Sequence, residues 1–221
     1  MIRLVAVGDT HTFQRHMKVP EGDIFVHVGD MLRGGELDEL ADVAEWLCAL
    51  PHAHKVIIAG NHDGCFAERP EEALKHLPGI TYLEDSGAEI AGLRFWGSPW
   101  QPAYNDWFFN LPRGAALAAK WSQIPEGVDV LLTHGPPRGF GDRGHHGEEG
   151  AHEGCDDLRA RVELVKPRLH LFGHIHQDGG MWEHEGVSFA NVTTWECERA
   201  PTVIDLDVHR IARIVVPPRH C

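Results

Sequence analysis

The chain has 221 residues, 43% of them hydrophobic, enough for one domain with a sizeable core. Its 33 acidic and 20 basic residues give a formal net charge of −13. That balance disfavours a long polyanion such as duplex DNA, whose recognition needs a basic footprint, while leaving small phosphorylated ligands open.

In chain order, the first apolar segment, MIRLVAVGDTH, is short and runs straight into polar residues. It is not expected to act as a secretory signal, and no apolar stretch has membrane-spanning length, so a cytoplasmic location without membrane association is expected. The same segment opens a series with one grammar: IRLVAVGDTH, DIFVHVGD, KVIIAGNHD, VDVLLTHGPP and LHLFGHIH. Each is an aliphatic run of strand length that stops at Gly or Thr and then presents Asp, His or Asn. Continuous apolar runs of this kind predict strands buried on both faces. Helical patterns lie between them: GELDELADVAEWLCAL, RPEEALKHL, RGAALAAKWSQI and DDLRARVELVKP. In the first, Leu37, Leu40, Val43, Ala44 and Leu47 recur at helical spacing, which predicts one apolar face. The alternation predicts an α/β layered fold in a single domain. ITYLED, LRFWGSPW, VSFANVTT, PTVIDLDV and RIARIVVP carry little helical periodicity and are expected to add strands to a second sheet. Gly139 to Gly154 is rich in glycine and charge and reads as a long loop. The scattered cysteines, Cys48, Cys65, Cys155, Cys197 and Cys221, form no C-x-x-C pair and read as reduced thiols.

The polar residues at the strand ends are Asp9, His11, Asp30, Asn61, His62, His134, His174 and His176. In α/β sheets the loops after the strand carboxyl ends gather at one edge, so these distant residues can meet. Two carboxylates, an amide oxygen and five imidazoles are too much buried polarity to leave unpaired. Divalent cations satisfy it, and mixed oxygen and nitrogen ligands favour Mn, Fe, Zn or Ni over Ca or Mg. If Asp30 bridges two ions, each receives about four ligands, and ions roughly 3.5–4 Å apart can clamp a phosphoryl group and acidify a water. In an extended segment His174 and His176 would point the same way, each addressing one ion.

Read in order, GDTH, GD, GNHD, THGPP and GHIH resemble the signature of the calcineurin-like metallophosphoesterases, from Val7 to His176. The resemblance implies a two-sheet αββα sandwich. It implies Asp9, His11, Asp30 and His176 on a first metal and Asp30, Asn61, His134 and His174 on a second, with Mn the ion expected to serve in vitro. His62 would contact the phosphate and assist the leaving group. GSPWQPAYNDWFFNLPRG, IPEGVDVLLTHGPPRGFGD and VKPRLHLFGHIH resemble the animal metallophosphoesterase-domain subfamily and its bacterial relatives, which are linked to phosphodiester hydrolysis and nucleotide binding. Some animal members carry Gly where this chain has His174, so a full second site is expected here. The protein serine/threonine phosphatases carry GD-x-x-DRG and GNHE. This chain has GDMLRGG and GNHD, which argues against that branch.

The expected activity is hydrolysis of small phosphodiesters, cyclic nucleotides among them. The alternatives are a phosphomonoesterase or nucleotide pyrophosphatase and a nucleotide-binding module with weak activity. Asp63 is a candidate for orienting His62, an ordinary turn residue being the alternative. Asn105 and Trp107 in the aromatic loop and Phe140 after the His134 loop are candidates for substrate contact, since aromatic rings stack bases and amides read their edges. For most aromatics of that loop, a packing role competes with this reading. His145, His146 and His152, with Glu148, Glu149 and Glu153, are read as a solvated surface loop, a lid or extra metal contact being the sharper reading.

Overall fold

The computed structural model of the chain describes residues 1–144, 151–207 and 211–215. His145, His146, Glu148, Glu149 and Cys221 lie outside the described residues. The first half runs β1 (Ile2–Val7), β2 (Ile24–His27), α1 (Leu37–Ala49), β3 (His54–Ile57), α2 (Gly64–Glu68), α3 (Pro70–Lys75), β4 (Thr81–Tyr82), β5 (Ser86–Ile90) and β6 (Leu93–Ser98). A short ribbon follows, β7 (Gln101–Pro102) and β8 (Asn110–Leu111), then α4 (Ala115–Trp121) and β9 (Val130–Thr133). The remainder is α5 (Asp156–Val165), β10 (Leu169–Phe172), β11 (Gly180–His184), β12 (Val187–Asn191), β13 (Thr202–Leu206) and β14 (Ile211–Val215).

Two six-stranded sheets result, in the orders β14-β13-β1-β2-β3-β4 and β11-β12-β10-β9-β6-β5. The predicted α/β sandwich is present, but the strands divide differently from expectation. The five runs with polar ends do not share one sheet: β1, β2 and β3 lie in the first, β9 and β10 in the second. The C-terminal strands β13 and β14 return to the first sheet, where β13 pairs antiparallel with β1. The physical reason is that the runs are apolar on both faces. Leu4, Ala6, Ile24, Val26 and Val56 pack between the sheets against Phe95, Val130, Leu132, Leu169 and Leu171. The opposite faces hold Val5, Val7, Phe25 and Ile57 under α1 and α3, and Leu131, Phe172 and Phe189 under α4 and α5.

The helices follow the predicted apolar faces. In α1, Leu40, Val43, Ala44 and Leu47 are buried, and a reciprocal capping box between Glu36 and Glu39 starts the helix. α5 begins at Cys155, whose Sγ accepts from the Leu158 amide, and ends at Lys166 in a left-handed conformation. Among the described residues no helix is long and apolar enough to cross a membrane.

Candidate metal centre

The carboxyl ends of β1, β2 and β3 face those of β9 and β10 at one edge of the sandwich. The turns after them are unusual. Asp9 (φ 55°), His11 (φ 43°), Thr12 (φ 68°), Asp30 (φ 55°) and His174 (φ 67°) all occupy the left-handed region. Each such residue costs on the order of 1–3 kcal/mol and persists only where its surroundings over-determine it. Here a backbone ladder joins the first two turns: Asp9 N donates to Gly29 O (3.0 Å), His11 N to Asp30 O (3.1 Å) and Thr12 N to Met31 O (2.9 Å). In the second sheet Gly173 N donates to His134 O (2.9 Å), and Glu196 N crosses to Asp9 O (2.9 Å).

The turns converge their side chains. Asp9, His11 and His176 bring ligand atoms within 4.8 Å of one another, as do Asp30, His134 and His174, and His11, Asp30 and His62. Asp30 therefore stands between two groups. Its Oδ2 lies 3.3 Å from His134 Nε2 and 4.0 Å from His11 Nε2. Asn61 Oδ1 is 3.0 Å from His134 Nε2, and His176 Nε2 is 3.5 Å from His11 Nε2 and 3.6 Å from Asp9 Oδ1. All seven sequence-predicted ligands are thus placed around one centre. His174 and His176 reach it by a route other than the expected one. The strand ends at Phe172, His174 turns left-handed, and His176 opens a 3-10 turn. The pair is splayed by this kink, and the His174 amide donates to the Asp9 carboxylate at 3.0 and 3.1 Å.

Several features fit this donor set to divalent cations. His134 Nδ1–H donates to Val28 O (2.9 Å) and His11 Nδ1–H to Leu32 O (3.2 Å), which turns each Nε2 inward. Two glycines make room. A Cβ at Gly60 would collide with Asp30 Oδ1 and His134 Cε1, and one at Gly173 would sit 2.6 Å from Asp9 Oδ2. The electrostatics agree. Burial opposes ionisation of Asp9 and Asp30, but His176 and His134 respectively outweigh it and hold both carboxyls below the usual range. Burial lowers the His134 pKa, yet Asp30 raises it more, to about 9. Burial drives His174 down to about 3, so it stays neutral and able to ligate.

His62 sits beside the ligands. Its backbone N donates to Asp30 Oδ1 (2.8 Å), and its Nδ1–H donates to Arg33 O (2.7 Å). Trp107 tilts over its ring at 4.0 Å between centroids. Asp63 does not orient it. The Asp63 carboxylate accepts from Leu32 N (2.9 Å) and Gly60 N (2.8 Å), so it braces the two ligand loops from behind. Burial, reinforced by the Asp30 charge, pushes Asp63 up to about 8. The Arg33 side chain leaves the centre, with its guanidinium 5.2 Å over the Phe13 ring.

A cavity of about 290 Å³ opens over Asp30, Asn61, His62, His174 and His176. Pro102, Ala103, Tyr104, Trp107 and Pro136 form one wall, and Arg113, Glu153, Ile175 and Gln177 complete the lining. Two predicted contacts are corrected here. Asn105 is exposed and absent from the lining; its carbonyl accepts from Asn110 Nδ2 within its own loop. Phe140 is buried, stacked on Phe189 at 4.1 Å with the Arg159 guanidinium 4.4 Å from its ring centre, so it belongs to the core under α5. Glu153, read as solvated, lines the cavity, and His152 closes the base of its loop on Asp142 (2.7 Å). Arg113 and Gln177 escaped the sequence reading. Gln177 directly follows the GHIH block and had a local signal, whereas Arg113 is brought in from just before α4 by its bonds to the Gly154 and Glu153 carbonyls.

The chain matches the calcineurin-like phosphoesterase family over residues 2–178. It is 37% identical to metallophosphoesterase domain-containing protein 1 of Homo sapiens, over 94% of this chain and 72% of that protein. It is 35% identical to UPF0046 protein T07D4.2 of Caenorhabditis elegans, over 94% of this chain and 61% of that protein. The structure of TT1561 from Thermus thermophilus superposes with a TM-score of 0.66 over 98% of this chain and 99% of that one at 13% identity, a likeness of fold. With the family match spanning β1 to β10 and the whole candidate ligand constellation, the chain belongs to the calcineurin-like phosphoesterases, metal-dependent hydrolases of phosphoric esters.

Proposed function

We propose that the chain is a two-metal phosphodiesterase of small phosphodiesters, nucleotides and in particular cyclic nucleotides among them, with Mn the ion of choice for loading in vitro. The observation that carries this reading is the position of Asp30 between two ligand groups beneath a cavity flanked by His62. Divalent cations bound there supply charge neutralisation at phosphorus and an acidified water.

The chain's own residues do the rest. Asp9, His11 and His176 would hold one cation and Asn61, His134 and His174 the other, with Asp30 available to both. His62 has its Nδ1–H committed to Arg33 O, so Nε2 is the nitrogen left to face the departing oxygen, and as the imidazolium the ring gives it a proton or hydrogen bond from Nε2–H. The wall of Trp107, Tyr104, Pro102, Ala103 and Pro136 offers apolar contact to an ester arm beyond the phosphate. A phosphodiester, with two arms and one charge, matches an apolar wall and an acidic chain better than a dianionic monoester does. The relative named for a metallophosphoesterase domain supports the coarser part of this reading, hydrolysis of phosphoric esters.

The test is turnover by the Mn-loaded chain of bis-p-nitrophenyl phosphate, p-nitrophenyl phosphate and 2′,3′- and 3′,5′-cyclic nucleotides. Diester turnover above monoester turnover is expected. Faster monoester or pyrophosphate cleavage would replace the diesterase reading, and nucleotide binding with no turnover of any ester would reassign the chain as a binding module.

A further inference from the structure

His27 is the last residue of β2, fully buried on the face that α1 covers, and it takes no part in the ligand set. Its ring lies between the two turns that carry Asp9 with His11 and Asp30. The Gly29 amide donates to Nδ1 (3.2 Å), and Nε2 lies 3.0 Å from the Thr10 hydroxyl oxygen. Only one tautomer serves both contacts. An N–H pointing at Nδ1 requires a lone pair there, so the proton is on Nε2 and is donated to Thr10 Oγ1. Gly29 precedes Asp30, and Thr10 stands between Asp9 and His11. One neutral ring therefore ties the two turns together from beneath.

The need for such a tie follows from the electrostatics and the backbone. Asp9 and Asp30 are buried carboxylates that repel each other. Their turns are held in left-handed conformations, Gly29 included (φ 96°). Without a cation both effects favour separation of the turns.

We propose that His27 is a positioning residue that sets the Asp9–Asp30 spacing before metal arrives, acting through Thr10 Oγ1 on one side and Gly29 N on the other. The inference rests on the two-metal reading above. It assigns His27 to metal affinity rather than to the chemical step.

The experiment measures Mn²⁺ binding to the metal-free chain by calorimetry, beside the melting temperature of the same metal-free samples. His27→Leu removes both contacts. His27→Asn keeps an acceptor for Gly29 N and loses Thr10, while His27→Gln keeps a donor to Thr10 and loses Gly29. Thr10→Val removes the Thr10 contact from the other end. His27→Leu is expected to weaken Mn²⁺ binding by about 10–100-fold, the usual range for groups that orient ligands. His27→Asn and His27→Gln should each fall between it and the natural chain, and Thr10→Val combined with His27→Asn should lose no more than either alone. If His27→Leu does not fold, the Asn, Gln and Val variants carry the test. Unchanged Mn²⁺ affinity in the folded variants, with only the melting temperature lowered, overturns the inference and makes His27 a packing residue. Absence of Mn²⁺ binding by the natural chain overturns the two-metal reading itself.

Discussion

The floor and the wall of the cavity are built on different principles. The floor, from Asp9 to His176, has Asp9, His11, Asp30, Asn61 and His134 buried and His174 and His176 half-buried, and it is locked by a backbone ladder between left-handed turns, with the His11 and His134 rings anchored through Nδ1 to a carbonyl. The wall from Ala103 to Trp107 is exposed, and it meets the floor through the Trp107 ring over His62 and, next to it in sequence, Phe108 N donating to Asn61 O at 3.3 Å. The contrast teaches where chemistry and selectivity separate. A cation site tolerates little displacement of its ligands, so the floor is over-determined. A surface that admits a substrate arm needs exposed rings and loops that can differ among relatives.

Breaking the floor should have the largest effect. Asp30→Asn removes the shared carboxylate, and turnover should fall by at least about 10³-fold with loss of bound metal by elemental analysis. His62→Ala should lower kcat by about 10²–10⁴-fold while metal content stays at the natural level, since the side chain handles a proton and His62's backbone bond to Asp30 survives. Equal loss of metal would move His62 from the chemistry to the floor.

The floor should also respond to pH in a way the wall does not. In the metal-free chain His134 is raised to about 9, so at neutral pH a cation must displace its proton. Apparent Mn²⁺ affinity should therefore rise as pH increases from 6 towards 9, roughly tenfold per unit if one proton is released. An affinity flat across that range would show that His134 binds no cation.

Effects at the wall should be smaller. Trp107→Ala should lower kcat/KM for nucleotide substrates by roughly tenfold, the loss of a stacking contact worth about 1–3 kcal/mol, and bis-p-nitrophenyl phosphate should suffer less. Asn105→Ala should leave kcat/KM unchanged for both, because its side chain faces solvent outside the cavity. A large Asn105 effect would mean that the loop folds over the substrate and that floor and wall are less separate than their packing suggests.

The two regions were unequally legible in the sequence. The floor announces itself because each ligand follows an apolar run, and a strand end is visible in a linear pattern. The wall does not, because exposure to a cavity leaves no periodicity. Phe140 and Trp107 are both aromatic and both in loops, yet one packs on Phe189 and the other on His62. Asp63, adjacent to His62, turns its carboxylate to the Leu32 and Gly60 amides, a choice set by residues 31 positions away or on the loop's near side.

By itself the sequence determined the α/β alternation, the buried strands, and the seven candidate ligands and His62 that the fold brings together, since these depend on local apolar runs and on donor chemistry that admits few other uses. Tertiary structure alone decided that the ligands come from two facing sheets, that His27 lies beneath both carboxylate turns, and that Arg113, Glu153 and Gln177 close the cavity. Those facts depend on which apolar face meets which, and a run that is apolar on both faces carries no mark of its partner.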